Sequence, residues 1–186
     1  MVEHESPKWL VLDGYEDEPA AFGVPPYVGF HIRYLCGVLE NHGIDYQYMT
    51  IDQWRNLLRA SDHTAESLLR NIAGFACIAG AVVPGKYLRG TPVSVNEINE
   101  IVQFLPNNVP AILGGWAIRG WRHQGWNPLR KNLFLSLQDT DATLDYFLRH
   151  DTWKHCRRTA AQWTQWAHAG ADSQAVRLHP DLASEG

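Results

Sequence analysis

The residues that could do chemistry in this chain are few and widely separated. Gly80-Ala81-Val82-Val83-Pro84-Gly85-Lys86-Tyr87 reproduces the G-x-x-x-x-G-K frame in which backbone amides cradle phosphates and a lysine reaches the terminal phosphoryl groups. Tyrosine, however, stands where Ser or Thr would ligate magnesium, and Arg89-Gly90-Thr91-Pro92 separates the loop from the next helical pattern. No helix N-terminus follows Lys86 directly, so the frame predicts a ligand-contacting loop rather than magnesium-dependent binding of ATP or GTP. Gly114-Gly115 closes another apolar run. Paired glycines there suit either the close approach of backbone to a flat ligand or a tight turn with positive φ, and the sequence weighs the two equally. The dinucleotide pattern G-x-G-x-x-G is absent.

Asp13 ends the first apolar run and leads into Tyr15-Glu16-Asp17-Glu18, a cluster that reads first as a solvated loop and second as a cation or basic-partner site. Nine histidines invite a metal reading, with His150, His155 and Cys156 the closest group. Their spacing is none of the usual zinc patterns, and Lys154, Arg157 and Arg158 would repel a cation; basic residues at a helix end account for them. Cys36, Cys77 and Cys156 lie far apart, and the first two sit in apolar patterns where cysteine behaves as a small hydrophobe. Trp116, Trp121 and Trp126 gather around Arg119 and Arg122, an arrangement that suits stacking on a planar ligand, a partner surface or core packing.

The elements that must position these residues follow from periodicity. Trp9 to Leu12, Tyr46 to Met49, Phe75 to Val83, Val109 to Leu113 and Leu133 to Leu137 read as strands, the third without a charge over nine residues. Between them, Val28, Ile32, Leu35 and Leu39 share a helical face; Thr50 with Gln53 and Ser94 with Glu97 form capping boxes; and Ile98, Ile101, Val102 and Leu105 make the clearest amphipathic helix. Leu68, Leu69 and Ile72 mark a further helical turn, Leu144, Phe147 and Leu148 a helix after the fifth strand, and Ala160, Trp163 and Ala167 another near the end. Strands alternating with helices imply an α/β fold with a doubly wound parallel sheet, flavodoxin-like, in the order 2-1-3-4-5. Such sheets bind ligands beyond the carboxyl ends of their strands, so the segments 13–28, 83–93 and 114–120 are the ones to watch.

Composition sets the outer bounds. The 186 residues carry 16 Lys+Arg against 20 Asp+Glu, a net charge of −4, which argues against a nucleic-acid partner. With 45% hydrophobic and 19% charged residues there is material for a real core. No stretch approaches the roughly 20 apolar residues that span a bilayer. The acidic N-terminus lacks the basic region of a secretory signal, and a cytoplasmic protein without membrane contact is expected.

Several stretches carry a resemblance. Val11 to Pro19, Phe22 to Tyr27, Tyr48 to Asp52, Val83 to Pro92 and Leu113 to Gly115, with a tail from Trp166 through His179-Pro180, resemble the N-terminal part of a radical S-adenosylmethionine family common in archaea. The first domain of that family is classed as cobalamin-binding-like. The resemblance implies a cobalamin-binding-like domain over residues 1–150 and a helical extension over 151–186 leading towards a catalytic domain. Its ligand face would draw on Asp13, Gly14, Pro25, Pro26 and Tyr27 after the first strand, on Gly85, Lys86, Tyr87 and Thr91 after the third, and on Gly114 and Gly115 after the fourth. The catalytic Cys-x-x-x-Cys-x-x-Cys motif is missing, so no iron-sulfur cluster and no catalysis by this chain alone are expected. In the cobalt-ligating frame Asp-x-His-x-x-Gly the chain reads Asp13, Tyr15 and Glu18, which leaves cobalamin to bind without histidine ligation. The function implied is a cofactor-binding or substrate-presenting module that works with a radical S-adenosylmethionine domain or subunit. The alternative is an interaction or regulatory domain that keeps only the fold.

Overall fold

The computed structural model describes residues 6–15, 28–80, 90–126, 132–137 and 139–150. The strands are β1 (Trp9–Gly14), β2 (Tyr46–Thr50), β3 (Gly74–Ala79), β4 (Ala111–Gly114) and β5 (Leu133–Leu135), joined in one sheet of order β2-β1-β3-β4-β5. Every pairing is parallel. This is the doubly wound α/β arrangement that the alternation of elements predicts, and its switch point falls between β1 and β3.

Helices cover both faces because β1, β3 and β4 are buried on both sides and alternate residues need apolar neighbours. Leu10, Leu12, Phe75, Cys77 and Leu113 pack under α2 (Ile51–Ala60), α3 (Asp62–Arg70), α4 (Val95–Phe104) and α5 (Trp116–His123), through Ile51, Trp54, Leu69, Ile98, Ile101 and Ile118. Trp9, Val11, Ala76, Ile78 and Ile112 pack under α1 (Phe30–Asn41) and α6 (Thr140–His150), through Ile32, Leu35, Leu39, Leu144 and Phe147. The capping boxes start two helices where they were read: Thr50 and Gln53 exchange hydrogen bonds at α2, and Ser94 and Glu97 do so at α4.

Three local readings change. Val109 and Pro110 belong to the turn before β4, where the Pro110 carbonyl accepts the Phe75 amide, and β5 ends at Leu135, short of Leu137. The segment 114–120 is mostly helix: α5 begins at Trp116, directly after Gly115. With no polar cap residue and a glycine at 120, its sequence carries little helical signal. Residues 81–83 of the long third run and the helix expected around Trp163 lie outside the described residues, as does the extension 151–186. No helix among the described residues is long and apolar enough to cross a membrane.

Candidate functional site

The parallel registers bring the candidate residues to one edge. Gly14 pairs with Ala79 and Gly114 with Ile78, so the carboxyl ends of β1, β3 and β4 lie side by side. Asp13-Gly14 and Gly114-Gly115 are thus neighbours across β3. Thr91 is exposed in the segment that returns from β3 to α4. Pro25, Pro26, Tyr27, Gly85, Lys86 and Tyr87 lie outside the described residues.

Asp13 is only 5% exposed and is held by hydrogen bonds. Its Oδ1 accepts the Tyr15 backbone amide at 2.9 Å and its Oδ2 accepts the Tyr48 hydroxyl, from the neighbouring strand, at 3.0 Å. Such partners are what a buried carboxylate requires. The amide bond is an Asx turn, and it holds Tyr15 at φ 59°, a left-handed conformation unusual for an aromatic residue. The Asx turn thus fixes the backbone at Tyr15, the residue directly after β1. Tyr15 is itself buried, and its hydroxyl donates to Asp52 Oδ2 at 3.1 Å.

Asp52 leads to the most connected side chain at this edge. Arg55 Nη1 donates to Asp52 Oδ1 at 2.9 Å and to the Thr91 carbonyl at 2.7 Å. Its Nε and Nη2 take both oxygens of Glu97 at 2.7 and 3.1 Å, and Nη2 also reaches the Pro92 carbonyl at 3.2 Å. Glu97 in turn accepts from the Ser94 amide and hydroxyl, each at 2.8 Å. The fork of a guanidinium suits this geometry, since one planar group can serve two carboxylates and two carbonyls. Burial alone would raise the Glu97 carboxyl, but the bonds from Arg55 and Ser94 outweigh it and hold the group below the usual carboxylate range.

The tyrosines face the other way electrostatically. Burial, and then the charge of Asp13, push the Tyr48 phenol upward; burial does the same for Tyr15, with Asp52 adding to it. Both hydroxyls stay protonated at neutral pH and act as donors to carboxylates rather than as bases. Cys77 is fully buried in β3 and Cys36 half-buried in α1, and burial pushes both thiols up, which fits the reading of these two as small hydrophobes. Among the described residues no group of three or more His, Cys, Asp or Glu side chains could hold a metal ion.

The glycines have internal reasons. A Cβ on Gly14 would lie 2.6 Å from the Ile78 carbonyl and press on Val93; one on Gly114 would overlap Thr140 at the start of α6. Gly115 has φ 96° and ψ 172°, a region that essentially only glycine enters, and a Cβ there would strike the Ala79 backbone. Of the two meanings open for Gly114-Gly115, the tight strand-to-helix turn accounts for the conformation, and close packing of protein on protein accounts for the missing side chains.

The tryptophan group divides. Trp121 and Trp126 are partly buried and meet edge to face at 5.4 Å, with the Trp126 indole N–H donating to Asn99, so these two are packing residues. Trp116 is 62% exposed in the first turn of α5, with the Arg119 guanidinium 5.4 Å from its ring centre. Arg119 also donates to the Leu137 carbonyl, tying α5 to the segment before α6.

At the histidine position of the cobalt-ligating frame stands Tyr15, buried and bonded to Asp52, so this position offers no axial nitrogen. At Gly14, Gly114 and Gly115 the space a Cβ would take is filled by protein atoms.

No known protein-family profile matches the chain. It is similar to an uncharacterized protein of Methanocaldococcus jannaschii, 39% identical over 93 residues, and to an uncharacterized protein of Archaeoglobus fulgidus, 45% identical over 92 residues. The matched stretches take in 50% and 49% of this chain and 16% of each relative's length.

Sequence reasoning noticed Asp52 within a familiar stretch and Glu97 as a capping residue, but not Arg55. A basic residue three positions after an acidic one on a helix is ordinary surface patterning. Only the fold brings Glu97 and the carbonyls of Thr91 and Pro92 to it.

Proposed function

We propose that this chain is a non-catalytic module that presents a small ligand at the carboxyl edge of its sheet to a radical S-adenosylmethionine domain or subunit. The observation that carries the reading is the adjacency of the β1 and β3 carboxyl ends at the switch point, where Gly14 pairs with Ala79 and two segments resembling that family leave the sheet. Ligands of doubly wound sheets bind at such a crevice. The relatives add support, since the matched segment is a minor part of a much longer chain in both, as expected of a module that accompanies a larger partner. The described polar side chains at this edge are donors and acceptors already engaged with one another, an arrangement suited to holding loops rather than to attacking a substrate.

A second reading is favoured by the closed glycines: a domain that keeps the fold and serves as the docking surface for the catalytic partner without a cofactor. Hydroxocobalamin titration followed by visible absorbance, with co-purification against the nearest encoded radical S-adenosylmethionine protein, separates the two. Saturable spectral change that Lys86→Ala or Tyr27→Ala weakens at least fivefold supports the cofactor module. A stoichiometric complex with no spectral change supports the docking domain, and neither result would leave both readings without support.

A further inference from the structure

We propose that Arg55 is the positioning residue of the carboxyl edge: one guanidinium sets the spacing between the point where the chain leaves β1 and the point where it returns from β3. The inference rests on the reading of this edge as the ligand-presenting face. Two arms carry it. On one side Arg55 holds Asp52, which accepts the hydroxyl of Tyr15, the residue whose left-handed backbone starts the departure from β1. On the other side it holds the carbonyls of Thr91 and Pro92 and both oxygens of Glu97, just before and within the first turn of α4. The arms close into a ring, because the next amide, Val93 N–H, donates to the Gly14 carbonyl at 3.1 Å. Helix α4 could be capped by Ser94 and Glu97 without any arginine, and the core under α2 is built by Ile51 and Trp54. Arg55 is thus surplus to secondary structure: four of its five donor contacts go to the segment from Thr91 to Glu97, and the fifth goes to Asp52 on its own helix, through which it reaches Tyr15. Lysine could not replace it, since an ammonium lacks the planar fork that serves two carboxylates and two carbonyls at once.

The test is amide hydrogen exchange read by NMR on the whole chain without ligand. In Arg55→Ala, the Val93 amide is expected to exchange at least tenfold faster after correction for the change at Leu12 and Cys77 in the sheet centre. Millimolar ethylguanidinium should restore much of that protection and ethylamine should not; Arg55→Lys should remain about as open as Arg55→Ala. Should Arg55→Ala fail to fold, Tyr15→Phe decides, because it removes only the hydroxyl bonded to Asp52. It is expected to speed Val93 exchange about threefold through the ring. Equal acceleration at every amide, or none at Val93 in either variant, overturns the proposal. The measurement involves no ligand, so the two failures are distinguishable: absence of hydroxocobalamin binding by the wild-type chain sinks the cofactor reading, whereas the exchange data alone decide whether Arg55 orders this edge.

Discussion

The two halves of the carboxyl edge are held by different physics. On the β1–β2 side, buried and half-buried polar groups do the work: Tyr48 and the Tyr15 amide on Asp13, Tyr15 on Asp52, and Arg55 on Asp52, Glu97 and two carbonyls. On the β4–α5 side, backbone is pressed against backbone and side chain at Gly114 and Gly115, with Ala79 and Thr140 filling the space. A polar network depends on protonation and on each member's reach, so it can be retuned by single substitutions. A glycine contact depends on volume and a left-handed φ, so it tolerates almost none. The polar half is therefore where specificity or adjustment can evolve, and the glycine half is the fixed wall.

The sharpest challenge to that contrast is Gly115→Val. Strain from the positive φ and collision with Ala79 should together cost about 3 kcal/mol or more, seen as a large fall in the denaturant midpoint. A variant that retained wild-type stability would show that the turn can rearrange and that the wall is not fixed. Gly115 variants consequently report on folding before they report on any ligand.

Arg55→Met comes next. It leaves Asp52 with Tyr15 and Glu97 with Ser94 as their remaining donors and two carbonyls unserved, with an expected loss of about 2 kcal/mol, since charged hydrogen bonds at a partly covered site contribute roughly 1.5–3 kcal/mol. Pairing it with Glu97→Gln in a double-mutant cycle should give a combined loss well below the sum of the two, whereas strict additivity would mean that the two groups do not act together.

Tyr48→Phe removes one donor from Asp13 and keeps the ring, so a loss of about 1 kcal/mol is expected in urea unfolding. An unchanged midpoint would remove Tyr48 from the network.

The smallest effect is in the acid limb. The Glu97 carboxyl lies below its ordinary range when folded, so its contribution is fully present above the unfolded value near ~4.3 and disappears as pH falls through the folded value. Stability measured from pH 6 to 3 should fall less steeply in Glu97→Gln. Asp145 on α6, lowered by its bonds from His42 and Arg149, has the same sign, but it is partly exposed and open to solvent screening, so its share should be only a few tenths of a kcal/mol.

Local chemistry made much of this protein legible from its sequence. Strand and helix periods are set by neighbours a few residues apart, and the capping boxes at Thr50 and Ser94 are contained within four residues, so the alternation and the starts of α2 and α4 follow from the chain itself, and the doubly wound expectation built on that alternation gives the sheet order; the start of the uncapped α5 does not follow in this way. Asp13, Gly14, Gly114 and Gly115 could be assigned to one edge because a doubly wound topology leaves no other place for strand ends. Tertiary structure decided what those residues do there. Glycine at 114 answers to Thr140, glycine at 115 to Ala79, and Arg55 to Glu97, Thr91 and Pro92, all partners distant along the chain. A glycine reads the same in sequence whether a ligand or a threonine occupies the missing side chain's volume. An arginine on a helix reads the same whether it faces water or spans two segments. The meaning of both is set by what the fold packs against them.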